Sequence, residues 1–210
     1  EFRGIDNCNY FPDYTSIRMK NFIKFFCSVV VLLFIASIPQ ETFASQILFH
    51  DNFDDGNAEG WEEYIGTGGS WIVQSGEYTG QVNRGSSIST RAFAGDVNWT
   101  DYIFELKVKG TSGVDKKVKF RYKSNNEFYE FNLRSSPFND LAVGKAGQNG
   151  WLQFVPVQNS QGIWYEVKVI VKDNNIKIYI DGSLKFDFTD TNNPIFNGKI
   201  GLEVWPGAAA

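Results

Sequence analysis

Val118-Lys119-Phe120-Arg121-Tyr122-Lys123, the turn Ser124-Asn125-Asn126, and Glu127-Phe128-Tyr129-Glu130-Phe131-Asn132-Leu133-Arg134 decide the fold. In the first run, apolar and cationic residues alternate. In the last, Tyr129, Phe131 and Leu133 alternate with Glu130, Asn132 and Arg134. A period of two gives each segment one buried and one wet face, which is the pattern of a half-buried strand. The Asn-rich turn tolerates the positive φ that a tight reversal requires, so the two runs read as an antiparallel hairpin. The same alternation appears in Tyr102–Lys109 and Ile176–Ile180, and a more apolar version, suited to an inner strand, in Trp164–Lys172. Gly110-Thr111-Ser112-Gly113, Asp173-Asn174-Asn175 and Asp181-Gly182 separate these runs. After residue 45 there is no helical period. About a dozen short strands joined by tight turns predict an all-β fold, a two-sheet antiparallel jelly-roll sandwich.

Composition agrees: 16% of the 210 residues are aromatic, and 20 are Gly. The net charge of −4 offers nothing that would draw the chain to nucleic acid. There is one His, His50, so a Ser-His-Asp or Cys-His centre would have to be built around that residue. It is expected at the end of the first strand. Both cysteines, Cys8 and Cys27, lie early in the chain. Carboxylate-only chemistry, as in glycosidases, passes these filters.

The single Met, Met19, is followed by Lys20 and Lys24, an apolar run over residues 25–38, and Thr42-Phe43-Ala44. A basic start, a short apolar run and a small-x-Ala ending form a secretory signal peptide. The run is too short for a membrane span, which takes roughly 20 apolar residues. Residues 1–18 are read as non-native upstream sequence, 19–44 as the signal peptide and 45–210 as one mature domain. That domain would contain no cysteine, so its stability rests on core burial.

With these runs in place, the mature segment resembles bacterial secreted laminin-G-like, concanavalin-type jelly rolls. The resemblance lies in Phe49-His50-Asp51-Asn52-Phe53-Asp54 with Gly60-Trp61, and in Trp71-Ile72-Val73-Gln74-Ser75-Gly76-Glu77-Tyr78. It continues through Phe120-Arg121-Tyr122 with Asn126-Glu127-Phe128-Tyr129, Trp164–Val169, Ile178–Gly182 and Gly198-Lys199-Ile200-Gly201-Leu202. It implies carbohydrate-binding or disaccharide-hydrolase-like relatives. It also implies a closing strand after Trp205 that is missing here, leaving a first strand at 46–50 with a free edge.

Laminarinase-type hydrolases of this broad group carry three acids at i, i+2 and i+4 on one strand face. Glu127 and Glu130 are three apart and point to opposite faces, and adjacent Glu62 and Glu63 fail likewise. A pair assembled from different strands stays open. Binding has clearer candidates: Arg121, Glu130, Asn132 and Arg134 are expected on one sheet surface, where planar donors beside carboxylate and amide acceptors suit sugar hydroxyls or carboxylates. The competing account is a solvated face of paired charges. Among the six tryptophans, Trp71 and Trp164 are expected to pack, and Trp151, after Gly147-Gln148-Asn149-Gly150, is the candidate sugar-stacking ring. Asp51 and Asp54, with Asp55, are candidate ligands for a structural Ca²⁺.

The sequence therefore predicts an extracellular, non-catalytic module that binds polysaccharide or oligosaccharide and sits beside further domains. A structural or adhesion β-domain and a carboxylate glycosidase are the alternatives. A sugar site requires an exposed ring beside Arg121 or Arg134, a structural face only paired charges, and an enzyme two facing carboxylates.

Overall fold

Strands β6 (Asp115–Ser124) and β7 (Glu127–Arg134) pair antiparallel, with Val118 opposite Phe131 and Phe120 opposite Tyr129. These four apolar side chains are fully buried. The hairpin read from the sequence is thus the centre of the molecule. A computed structural model describes residues 46–83 and 85–205. The expected signal peptide, the upstream segment and both cysteines lie outside the described residues.

Chain order supplies β1 (Trp61–Tyr64), β2 (Gly69–Gln74), β3 (Glu77–Val82), β4 (Thr90–Ala94) and β5 (Tyr102–Lys109) before the central pair. After it come β8 (Asp140–Lys145), β9 (Gln153–Pro156), β10 (Trp164–Lys172), β11 (Asn175–Ile180), β12 (Ser183–Thr189) and β13 (Lys199–Val204). No helix occurs among the described residues. One sheet has seven strands in the order β1-β4-β13-β6-β7-β8-β9, the other four in the order β12-β11-β10-β5, and β2 pairs with β3 alone. Every pairing is antiparallel; β6 to β9 and β10 to β12 run as meanders, while β1–β4, β4–β13, β13–β6 and β5–β10 join strands distant in the chain.

The two larger sheets meet through their apolar faces. Val118, Phe120, Tyr129, Phe131, Leu141 and Val143 of the seven-stranded sheet share one core cluster with Val167, Val169, Ile176, Ile178 and Phe186 of the other. The β2–β3 hairpin builds a second, smaller core, in which Trp71 and Val82 pack with Ala92 and Val204. Apolar area removed from water at about 25 cal/mol per Å² is the main stabilising term for such layers.

The segment at 46–50 is a correction. It forms no strand, and Ile47 and Leu48 are exposed. Phe49 instead packs edge-on against Trp61, at 5.6 Å between ring centres. Trp71 is buried as expected, but Trp164, at the start of β10, is exposed with the Lys109 ammonium 4.4 Å from its ring centre.

Candidate functional site

Residues that alternate with the core collect on the outer face of the seven-stranded sheet. Lys117 stands opposite Asn132 on one side and Glu203 on the other, and Lys119 opposite Glu130 and Gly201. Across the next ladder Glu130 faces Gly144, Asn132 faces Ala142, and Arg134 faces Asp140. Four neighbouring strands, β13, β6, β7 and β8, therefore present one continuous polar surface. Its glycines are covered by rings, Gly201 by Phe93 and Gly144 by Trp151.

The charges on this surface are matched. Lys117 Nζ lies 2.9 Å from Glu130 Oε1, and Lys119 Nζ lies 3.1 Å from Glu130 Oε2 and 3.0 Å from Glu203 Oε2. Ser89 donates its hydroxyl to Glu203 Oε1 at 2.6 Å. Burial pushes the Glu203 carboxyl up, but Lys119, Ser89 and Lys117 outweigh it and hold that carboxyl below the usual glutamate range. Arg134 grips Asp140 with both arms of its fork, Nε donating to Oδ1 at 2.6 Å and Nη2 to Oδ2. This bidentate geometry is the strong form of an ion pair.

Aromatic rings stand over these charges. Trp151 rests above Gly144, where a Cβ would come within 3.0 Å of the indole, so a side chain at 144 would displace the ring. The Arg134 guanidinium carbon is 5.0 Å from the Trp151 ring centre and 4.5 Å from that of Phe138. Lys117 Nζ is 4.9 Å from the Trp205 ring and 5.7 Å from the Trp151 ring. Such cation–π contacts contribute about 0.5–1 kcal/mol at exposed sites and more where water is excluded. At the β9 margin Phe154, opposite Ala142, is 64% exposed. Trp151 is half-buried, and Phe138 and Trp205 are exposed.

Of the residues expected to meet a ligand, the structure brings Glu130, Arg134 and Trp151 together. Asn132 lies on the same face but is fully buried. Its Oδ1 accepts from the Lys116 backbone N–H, and its Nδ2 donates to Asp115, so it braces the sheet.

Arg121 is a correction. The β6–β7 register shifts between Phe120 and Ser124, and Arg121 takes a φ of 48°. An irregularity of this kind turns a side chain to the other face. The guanidinium is 0% exposed and donates to three backbone carbonyls: Thr100 at 3.2 Å, Ile195 at 2.8 Å, and Asp173. Its backbone N–H donates to the Tyr102 hydroxyl at 2.7 Å. Arg121 ties together the three loops at one end of the sandwich and does not reach the polar face. Next to it, Asp190 accepts from the Tyr129 hydroxyl and from Lys145 Nζ at 2.7 Å, fixing the loop before β13.

The candidate calcium residues, Asp51 and Asp54, are engaged in hydrogen bonds within the turn before β1. Asp51 Oδ1 accepts the Phe53 N–H at 2.8 Å, and Oδ2 accepts the Trp61 indole N–H at 3.0 Å. Asp54 takes a side-chain bond from Asn52 at 2.7 Å. Among the described residues no three His, Cys, Asp or Glu side chains converge. These acids shape the turn before β1.

Sequence reasoning did not single out Asp140, Lys117, Phe138 or Phe154. Phe154 carried a usable signal, being an apolar residue three positions after Trp151 and next to Gln153 in a short run ending at Pro156.

Comparison with known proteins places this geometry. A family model described as the 3-keto-alpha-glucoside-1,2-lyase-like domain matches residues 49–209. The chain is 33% identical over 147 residues to an extracellular exo-alpha-L-arabinofuranosidase of Streptomyces chartreusis, an alignment that takes in 68% of this chain and 17% of that protein. It is 28% identical over 116 residues to an uncharacterized protein of Methanocaldococcus jannaschii, covering 51% of this chain and 50% of that one. The chain thus spans half or less of the curated relatives it matches. Among solved structures, the carbohydrate-binding module CBM66 from Bacillus subtilis superposes with a TM-score of 0.60 at 19% identity, covering 72% of this chain and 91% of that one. A Bacillus licheniformis beta-glucanase superposes with a TM-score of 0.55 at 16% identity, over 76% of this chain and 85% of that one. At such identities the likeness establishes the jelly-roll fold.

Proposed function

The chain belongs to the 3-keto-alpha-glucoside-1,2-lyase-like domain family, and from that premise we propose that it binds glycan on the outer face of its seven-stranded sheet, without cleaving it. The observation that carries this reading is the pair of rings, Trp151 and Phe138, set over Arg134 of the Arg134–Asp140 pair, with exposed Phe154 on the neighbouring β9 strand opposite Ala142. Sugar rings stack their C–H faces on aromatic planes, and their hydroxyls bond to charged donors and acceptors at the ring edge. Phe138, Phe154 and Trp205 lie open to solvent beside the paired charges, where a sugar ring can reach them.

A hydrolytic or eliminative reading has one observation in its favour. Glu130 Oε2 and Glu203 Oε2 both contact Lys119, at 3.1 and 3.0 Å, so they lie no more than 6.1 Å apart. That bound admits the separation of roughly 5–5.5 Å used by retaining glycosidases. Against it, both carboxylates are clamped by lysines, Glu203 is almost fully buried, and its carboxyl is held below the usual range. A general acid requires a raised value.

The reading includes secretion, supported by the leader-like residues 19–44 and by the relative whose name calls it extracellular. No helix among the described residues is long and apolar enough to cross a membrane. The test is co-sedimentation with insoluble polysaccharides and titration with soluble oligosaccharides, while the supernatant is followed for released reducing ends or unsaturated products. Saturable binding with no product supports the reading. Product formation lost in Glu130→Gln would establish the enzymatic one.

A further inference from the structure

An acidic sugar brings a carboxylate that needs an uncommitted cation, because a charge moved out of water is compensated only by a close partner. Around the Trp151 ring the cations are already taken; Arg91, on β4 three strands away from β7, donates to Asn125 and lies 3.9 Å from Glu203. Lys117 and Lys119 each hold a carboxylate oxygen within 3.1 Å. Arg134 alone around that ring has the planar fork suited to bidentate recognition of a ligand carboxylate. Asp140 fills that fork, Oδ1 accepting from Nε at 2.6 Å and Oδ2 from Nη2.

The pair is held in place from three sides. Arg134 and Asp140 are direct ladder partners on β7 and β8. Asn159 Nδ2 donates to the backbone carbonyls of both, at 3.0 and 2.8 Å. The rings of Phe138 and Trp151 flank the guanidinium, so it cannot swing away from Asp140 without losing both contacts.

We propose that Asp140 is a specificity-determining residue: its carboxylate occupies the place that an acidic sugar's carboxylate would take on Arg134. The surface around Arg134 and Trp151 therefore accepts neutral, hydroxyl-bearing glycans and rejects uronic and sialic acids. The inference rests on the glycan-binding reading of the same face. Asp140 keeps lone pairs for hydroxyl donors, and Arg134 keeps the N–H groups of Nη1, so neighbouring hydroxyls of a neutral ring can bridge the two.

The experiment is a printed glycan array with neutral members and their uronate or sialylated counterparts, probed with the protein, Asp140→Ala and Asp140→Asn. Circular dichroism and a thermal melt first establish that each variant is folded, and Asp140→Asn keeps the side-chain shape if the smaller residue does not. The protein is expected to bind neutral members at least about tenfold more strongly than any acidic counterpart. Folded Asp140→Ala is expected to gain acidic members and to weaken on neutral ones, and Asp140→Asn, which loses the charge but still fills the place, to gain them to a smaller extent. Wild-type binding of acidic members overturns the inference and leaves the glycan reading standing, as does a folded variant that gains none. No glycan bound by the wild type overturns both.

Discussion

Replacing Arg121 with methionine is expected to destabilise the protein by about 3–5 kcal/mol, the cost of leaving several buried carbonyls without a donor. Methionine matches the arginine stem in length and fills most of its volume, so cavity formation is a minor part of the effect. What is lost is the set of N–H donors. Thr100, Asp173 and Ile195 each present a carbonyl to the guanidinium, and Asp101 adds a carboxylate contact at 3.3 Å. A carbonyl left without a donor in a buried place costs about 1–3 kcal/mol, offset in part by no longer burying a cation. Because these carbonyls sit on loops at the end of the sandwich, water can reach some of them, which favours the lower half of the sum. In a domain of this size each kcal/mol moves the melting temperature by about 2–4 °C, so the fall should be about 6–20 °C. Urea unfolding at pH 7, followed by tryptophan fluorescence, gives the free energy directly, and glycan binding measured on the folded variant should be unchanged. A variant that keeps its stability within about 1 kcal/mol but loses glycan binding would show that Arg121 contacts ligand and that its buried placement is wrong.

Other expectations follow from the same contacts. Phe154→Ala should lower glycan affinity several-fold with less than about 0.5 kcal/mol change in stability, since an exposed ring contributes little to the core; calorimetry and a melt check both. Asp51→Ala should destabilise by about 1–2 kcal/mol through loss of the Trp61 and Phe53 bonds; a urea midpoint unchanged from the wild type would contradict this. Acid should unfold the protein through Asp190 and Glu203. Burial raises both carboxyls, but Lys145 and the Tyr129 hydroxyl at Asp190, and Lys119 and Ser89 at Glu203, bring each below its ordinary value. A lowered folded value contributes stability that is complete above the unfolded value of about 4 and is lost as pH falls through the folded one. Urea midpoints should therefore drop below about pH 4, and less steeply in Asp190→Asn.

Strand identity was legible wherever alternation is unbroken. Val118, Phe120, Tyr129 and Phe131 fall on the core side as counted, and Glu130 and Arg134 on the polar side. The count fails at Arg121 because a register shift adds residues to one strand and not the other, and nothing in Phe120-Arg121-Tyr122 announces it. The partners that hold Arg121 come from Thr100, Asp173 and Ile195, far away in the chain, so only the assembled fold brings them together. Asp140 escaped notice for a related reason. It begins β8, and its meaning depends on standing opposite Arg134 in the ladder. Trp151 could be placed because a glycine turn before an aromatic is a local signal, and that ring does stand over Gly144. Residues 46–50 read as a strand by composition, but they have no ladder partner and form none.

The central claim, glycan bound on the polar face under Trp151, is tested most directly by isothermal titration of the best array ligand into the protein and into Trp151→Ala. The account predicts saturable binding by the wild type and a loss of about tenfold or more in the folded variant, as expected for removing a central aromatic anchor. Equal affinity in the two proteins would place the ligand elsewhere and contradict it.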